Sequence, residues 1–336
     1  MPPCPDARPV AVLTGATGQD APLLAALLRS GGRRVVGVAR PGRESAVMAS
    51  AFDAVVPVAL DDAAAITALV RHWRPDRVFH LAGCNFAATD ARAAAASADD
   101  YLAVNARPVA HFLEAIRRHA PEARFFHAAS CHVFGRPAVS PQDEETPIAP
   151  VTLYGASKAA GLHLCRAYRE QHGCFAVGGI LYNHESPARP ASFITARLAR
   201  AAARAAAGGD GHVEVRDLDA LVDWGAAEDY VRAFCLALDA GAPDDFIIAT
   251  GEGRTVRAFA EAAFAVVGLD WRDWVRADGP RPGPRAQPYI GDSSRLRART
   301  GWAPRIAFAS LVSMMVHAHS VAGAGGGAPL TRKDAP

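Results

Sequence analysis

The sequence predicts an α/β fold, a doubly wound parallel sheet with a smaller C-terminal lobe. Two observations lead to this. Through Tyr182, short apolar runs of strand length alternate with segments of helix length. The first run passes directly into a glycine-punctuated turn that opens a helix, Gly15-Ala16-Thr17-Gly18-Gln19-Asp20-Ala21.

Val10–Thr14 is a short apolar run, expected as a buried parallel strand. After it, Gly15 permits the tight turn, Gly18 lets backbone approach a pyrophosphate, and Ala21 is small enough for helix-on-strand packing. The helix, expected through Leu28, turns its free N–H groups toward the phosphates. This is a Rossmann-type dinucleotide turn, with Gly15, Thr17, Gly18, Gln19 and Asp20 as candidate cofactor contacts. The second strand, Arg33–Arg40, ends on Arg40 with Arg43 close behind, where a site for a ribose 2′-hydroxyl would carry an acid. Two cations suit a 2′-phosphate, so NADP is expected rather than NAD.

A third strand over Val55–Leu60 and a helix over Ala63–Trp73 follow. The fourth strand, Arg77–Gly83, ends in small residues where backbone passes the cofactor. One long helix is expected over Asp99–His119, and the fifth strand, Arg124–Ala129, delivers Ser130.

The stretch from Phe126 to Lys158 reads as an active site. Tyr154 and Lys158 are four apart and share a helix face. The ammonium favours the phenolate, and Ser130 can share the proton, so the trio can move a proton at a sugar hydroxyl. Of 36 lysines and arginines, the only lysines are Lys158 and Lys333. Arginine, always charged and planar, is a poor replacement at position 158.

The later chain offers a sixth strand (Cys174–Tyr182), the polar cluster Asn183-His184-Glu185-Ser186-Pro187, and a helix over Phe193–Ala207. Then come Val213–Arg216, Asp223-Trp224-Gly225, a helix from Ala227 to about Leu238, a late strand over Phe246–Gly251 and a helix over Arg254–Val267. Residues 1–182 are expected to form the NADP-binding domain with the catalytic residues, and 183–322 mostly a substrate-binding lobe. The late strand and helix would return to the sheet, and 323–336 form a disordered tail. Gly279–Pro288 is a loop rich in Pro and Arg. A net charge of +2 points away from nucleic-acid and membrane partners. Six scattered cysteines suggest reduced thiols of a cytoplasmic protein, with no metal site.

These motifs together resemble the extended short-chain dehydrogenase/reductase family, and more narrowly the GDP-mannose 4,6-dehydratases. The most specific pieces are Asn183–Pro187, Asp223-Trp224-Gly225 with Asp229-Tyr230-Val231, and Ile248-Ala249-Thr250-Gly251. The resemblance implies a cytoplasmic, NADP-dependent hydro-lyase acting on a nucleotide sugar, GDP-mannose or a close analogue. It would oxidise C4, eliminate water across C5–C6 and return hydride to C6. It implies Tyr154 as the C4 base, Lys158 on the nicotinamide ribose, and Ser130 where the family has threonine. Leu81, Ala82, Asn85, Tyr101, His184 and Arg189 match cofactor contacts, and Asn183 a position near the sugar diphosphate. A homodimer or homotetramer is implied, the dimer through two long helices including that of Tyr154.

Departures are informative. His132 stands where the family has the glutamate that removes the C5 proton. An imidazole can serve as base there, or fill the slot without chemistry. Val222 replaces a diphosphate-gripping arginine, for which Arg216 or Arg197 is expected to compensate. Arg281–Arg285 carries no acid, Ala59 replaces an adenine-contacting aspartate, and the stretch from Arg43 to Val55 is short. The alternatives are an epimerase or 4-ketoreductase on the same scaffold, or a non-catalytic NADP-binding partner protein.

Overall fold

The computed structural model describes residues 8–44, 50–84, 95–277 and 287–322, with residues 321 and 322 as backbone alone. Cys4, Asn85, Arg281, Arg285, Lys333, the tail from 323 and most of the Gly279–Pro288 loop lie outside the described residues.

Seven parallel strands make the central sheet: β1 (Val10–Thr14), β2 (Arg34–Ala39), β3 (Ala54–Pro57), β4 (Arg77–His80), β5 (Arg124–Ala128), β6 (Ala176–Leu181) and β10 (Asp245–Ile248). Their order is β10-β6-β5-β4-β1-β2-β3, so the direction of winding reverses between β1 and β4. Helices cover both faces, which is why these strands read as apolar runs rather than alternating ones. One face holds α1 (Asp20–Ser30) and α7 (Ala227–Asp239), whose Leu24, Leu28, Phe234 and Leu238 join Leu13, Phe79 and Phe126 in one core cluster. The other holds α2 (Ala63–Trp73) and α4 (Arg107–His119), with Ile66, Leu69, Phe112 and Ile116 against Val12, Val78 and Phe125.

The long helix expected over Asp99–His119 is two helices, α3 (Ala98–Asn105) and α4. Pro108 sits in the first turn of α4 and has no N–H to continue the ladder, so the chain breaks at Ala106, with φ −122°. The third strand ends at Pro57 rather than Leu60, since a proline at the sheet edge supplies no further donor. The sixth is trimmed to Ala176–Leu181. Helix α5 (Leu153–His172) carries Tyr154 and Lys158 and starts on a Thr152 cap.

The chain divides into two compact units. The first comprises residues 1–184, 221–253 and 284–306, including the strand β9 (Leu221–Ala226) and the helix α9 (Ser294–Thr300). The second comprises 185–220, 254–283 and 307–336. In it α6 (Ile194–Ala206), α8 (Val256–Ala265) and α10 (Phe308–Ala322) pack together, and β8 (Val213–Val215) pairs in parallel with β12 (Val275–Ala277). Helices α9 and α10 have no counterpart in the sequence reading. Alanine and arginine blur their periodicity, as in Ser294-Arg295-Leu296-Arg297-Ala298-Arg299-Thr300. No helix among the described residues is long and apolar enough to cross a membrane.

Candidate active site

A cleft of about 1130 Å³ opens at the carboxyl ends of β1 to β4, at the point where the strand order reverses. Its floor is the glycine turn. Gly15 has φ +72°, and a Cβ there would lie 2.8 Å from the Ala82 nitrogen. Only glycine meets both demands. Thr14 Oγ1 accepts from the Ala82 N–H at 3.1 Å and lies 2.9 Å from His80 Nδ1, tying the ends of β1 and β4 together.

Of the expected cofactor residues, Gly15, Thr17, Gly18, Arg40, Arg43, Leu81 and Ala82 line this cleft. Arg40 and Arg43 are exposed and form no ion pair among the described residues. Asp61 also lines the cleft, two residues beyond the Ala59 at which the family acid is missing. Gln19 and Asp20 turn instead to His184. Gln19 Nε2 donates to its carbonyl at 2.9 Å, and Asp20 Oδ2 lies 3.0 Å from its Nε2. Tyr101 is buried on α3, which pushes its phenol pKa up. In the second unit Arg189 is committed to Glu185 at 3.1 Å and to the face of Phe193.

Ser130 ends β5 and caps a short 3₁₀ turn, Cys131–Phe134, by accepting from the His132 N–H at 3.3 Å. That turn carries the His132 ring to 5.6 Å from the Tyr154 ring, edge to face. Gly155 makes the approach possible, since a Cβ there would sit 2.5 Å from the His132 carbonyl oxygen. His132 has no carboxylate partner among the described residues, and burial holds its pKa below the ordinary histidine value. It is therefore a neutral imidazole near pH 7.

Lys158 is 3% exposed and donates to the Ala128 carbonyl at 2.8 Å. Burial lowers its pKa to about 8. Beneath it lie His80 and His127, fully buried and stacked with ring centroids 5.7 Å apart. Burial, and then the Lys158 charge, holds His80 at about 3 and His127 well below its ordinary value. Asn105 accepts from the Cys84 N–H at 2.8 Å and donates to Ser157 Oγ at 2.8 Å, fixing the segment after β4 against α5.

Sequence reasoning missed Asp61, Asn105 and Tyr289. The Tyr289 ring lies 5.3 Å from that of His132, and its hydroxyl donates to the Gly135 carbonyl. No local pattern marks Tyr289, because its partners are 154 residues away or more in the chain. Among the expected substrate residues, Asn183 is half-buried, next to His184. Arg197 donates to the Glu214 carbonyl at 2.8 Å, and Arg216 is exposed after β8. No cluster of metal-ligating side chains occurs among the described residues, and the described cysteines are free thiols.

Comparison with known proteins agrees with this architecture. In solved structures, a putative epimerase from Burkholderia cenocepacia matches with a TM-score of 0.81 at 22% identity, covering 94% of this chain and 99% of that one. RMD from Pseudomonas aeruginosa, complexed with NADPH, matches at 0.78 and 22%, with the same coverage. At that identity both speak to the fold alone. By sequence, GDP-mannose 4,6 dehydratase 2 of Arabidopsis thaliana is 34% identical over 92% of this chain and 86% of its own length. The human GDP-mannose 4,6 dehydratase is 31% identical over 93% and 91%. The family profile described as GDP-mannose 4,6 dehydratase matches residues 12–315, and the chain belongs to that family.

Proposed function

We propose that the protein is a cytoplasmic NADP-dependent nucleotide-sugar 4,6-dehydratase, acting on GDP-mannose or a close analogue. The observation that carries this reading is the juxtaposition at one corner of Tyr154, on the helix of the buried Lys158, with an unpaired neutral imidazole, His132. The cleft fits a dinucleotide: Gly15 leaves no side chain over the turn, and Arg40 and Arg43 lack carboxylate partners, as a 2′-phosphate site requires. When bound there, the nicotinamide would supply the oxidation at C4 and the reduction at C6. In the second unit, Arg197 and Arg216 are the candidates to meet the substrate, with Arg189 as a support for that unit's first turn; in the first unit these are Asn183, with His184 holding the glycine turn through Asp20.

Tyr154 takes the proton of the C4 hydroxyl, favoured by the Lys158 ammonium, and Ser130 is the candidate to share it. Once C4 is a carbonyl, the C5 proton is acidified. His132 Nδ1 or Nε2 takes that proton, the C5–H pair forms the C5–C6 double bond, and the C6–O bond breaks. The resulting imidazolium returns its proton to the departing hydroxide, which leaves as water. One imidazole thus serves both halves of the elimination. When C6 is reduced, the proton Tyr154 took from the C4 hydroxyl passes through solvent or His132 to C5, which restores the phenolate and closes the proton count.

Incubation with NADP and GDP-mannose, followed by mass spectrometry, tests this. The expected product has lost the mass of one water, and Tyr154→Phe abolishes it. Unchanged mass with tightly bound cofactor overturns the dehydratase. The absence of a carboxylate at position 132 favours, as the second reading, an epimerase or 4-ketoreductase, which needs no base there. Exchange of the C5 proton with deuterated water, lost in His132→Ala, separates the two.

A further inference from the structure

The second unit holds a cavity of about 650 Å³ that the proton chemistry above does not use, although Arg197, a candidate substrate contact, lies on its lining. Arg197, Arg200, Arg204 and Arg276 line it, together with Asp210 and Glu214. Arg197, Arg200 and Arg204 stand at i, i+3 and i+7 of α6, on one helical face. Arg276 comes from β12, in register with Glu214 on β8.

None of these four guanidiniums is ion-paired with a carboxylate among the described residues. Elsewhere in the same unit Arg189 takes Glu185, Arg257 takes Asp219 and Arg272 takes Asp270. Two acids share the cavity: Glu214, and Asp210, whose pKa is held below the ordinary value by its bonds from His212 and, to a lesser degree, by the Arg204 charge. Asp210 accepts from the His212 N–H at 2.9 Å and meets its ring nitrogen at the same distance. Glu214 offers Arg197 its backbone carbonyl. Arg200 Nε donates toward His319 Nε2 at 3.4 Å, an imidazole kept neutral by burial and by the Arg200 charge. Four like charges around one concavity repel each other and gain nothing from folding. Two carboxylates against four guanidiniums leave an excess of positive charge that an anion would match, and guanidinium forks match phosphate oxygens two at a time. The cavity has the size of a small-molecule site rather than that of a polymer groove.

We propose that this cavity binds a diphosphate-bearing ligand through Arg200, Arg204 and Arg276, with Arg197 at its edge. The diphosphate belongs either to the nucleotide sugar or to a separate nucleotide. Only the first assignment rests on the dehydratase reading; the site itself stands on the residues of this unit.

The test uses the full-length, NADP-saturated protein and titration calorimetry with inorganic pyrophosphate at low salt. Arg204 and Arg276 are exposed, so the double variant Arg204→Gln/Arg276→Gln is expected to keep its fold and its NADP affinity, with Arg200→Gln as a second variant. The expected result is a rise in the pyrophosphate Kd of at least about tenfold, with a shallower salt dependence. No pyrophosphate binding by the wild type, or an unchanged Kd in both variants, overturns the proposal. GDP and GDP-mannose then identify the source. A KM for GDP-mannose that rises with the pyrophosphate Kd assigns the site to the substrate. An unchanged KM with a raised GDP Kd assigns it to a separate nucleotide. If no sugar is turned over, the pyrophosphate arm still decides the site.

Discussion

Two ends of the same corner treat protons differently. At the sealed end, Lys158, His80 and His127 lie in the core and touch almost no water. At the open end, His132 lies between the rings of Tyr154 and Tyr289. Burial opposes charge at both. It leaves Lys158 a cation near pH 7, with a pKa of about 8, and leaves all three imidazoles neutral. An ordinary lysine starts some four pH units above an ordinary histidine, so about the same loss of hydration neutralises one and spares the other. The result is one buried positive charge a helical turn along from Tyr154 and one uncharged imidazole against its ring.

The largest expected effect strikes the sealed end. Lys158→Ala removes the charge that favours the Tyr154 phenolate and is expected to lower kcat about a thousandfold, with weaker NADP binding seen by fluorescence titration. Retained activity would show that the phenol is poised by something else. At the open end, His132→Ala is expected to cost about a hundredfold in dehydration while C4 oxidation, followed by nicotinamide absorbance, persists. His132→Glu should recover part of the loss, since a carboxylate can also take the C5 proton. Equal loss of both half-reactions would make His132 a structural residue.

The two ends also separate by pH. In kcat/KM profiles, Lys158 loses its proton above about pH 8, so the alkaline limb should fall there. His132, with a depressed pKa, places the acid limb below the ordinary histidine value. The Lys158→Ala variant should lack the alkaline limb at 8. His80 and His127 write their signature in stability rather than rate. Their folded pKa values lie below the unfolded 6.5, so their contribution is complete above that pH and is lost as pH falls below it. Urea unfolding at pH 7 and 5.5 should differ by about 1 kcal/mol for each. His127→Gln, which cannot titrate, should remove its share; an unchanged slope would show that His127 is charged in the fold. The smallest effect belongs to Tyr289→Phe. It keeps the ring against His132 but loses the bond to Gly135, and about a threefold fall in the elimination step is expected.

Most of the fold was legible because its signals are local. Val10–Thr14 appears in the structure with the bounds its apolar run suggested, and the helix over Ala63–Trp73 begins at an Asp62 cap as its composition allows. The long helix over Asp99–His119 failed at Pro108, a signal that was present and outvoted by the run of helix formers around it. Of the candidate site, the glycine turn and the Tyr154–Lys158 spacing were readable, since both are short-range patterns with one geometric meaning. Gln19 and Asp20 were expected on the cofactor and are found on His184, a pairing across 164 residues that no spacing announces.

The sequence by itself determined the alternation of strands and helices through Tyr182, the turn at Gly15, the helical face shared by Tyr154 and Lys158, and the family. Each is set by periodicity, by glycine and proline geometry, or by residue chemistry within a few positions. Only the tertiary structure decided that His132 would stand between two phenols without a carboxylate, that two imidazoles would stack beneath Lys158, and that arginines of α6 and β12 would share one cavity. Those are contacts between distant stretches of chain, and burial, which sets the charge of each group, exists only once the chain has packed.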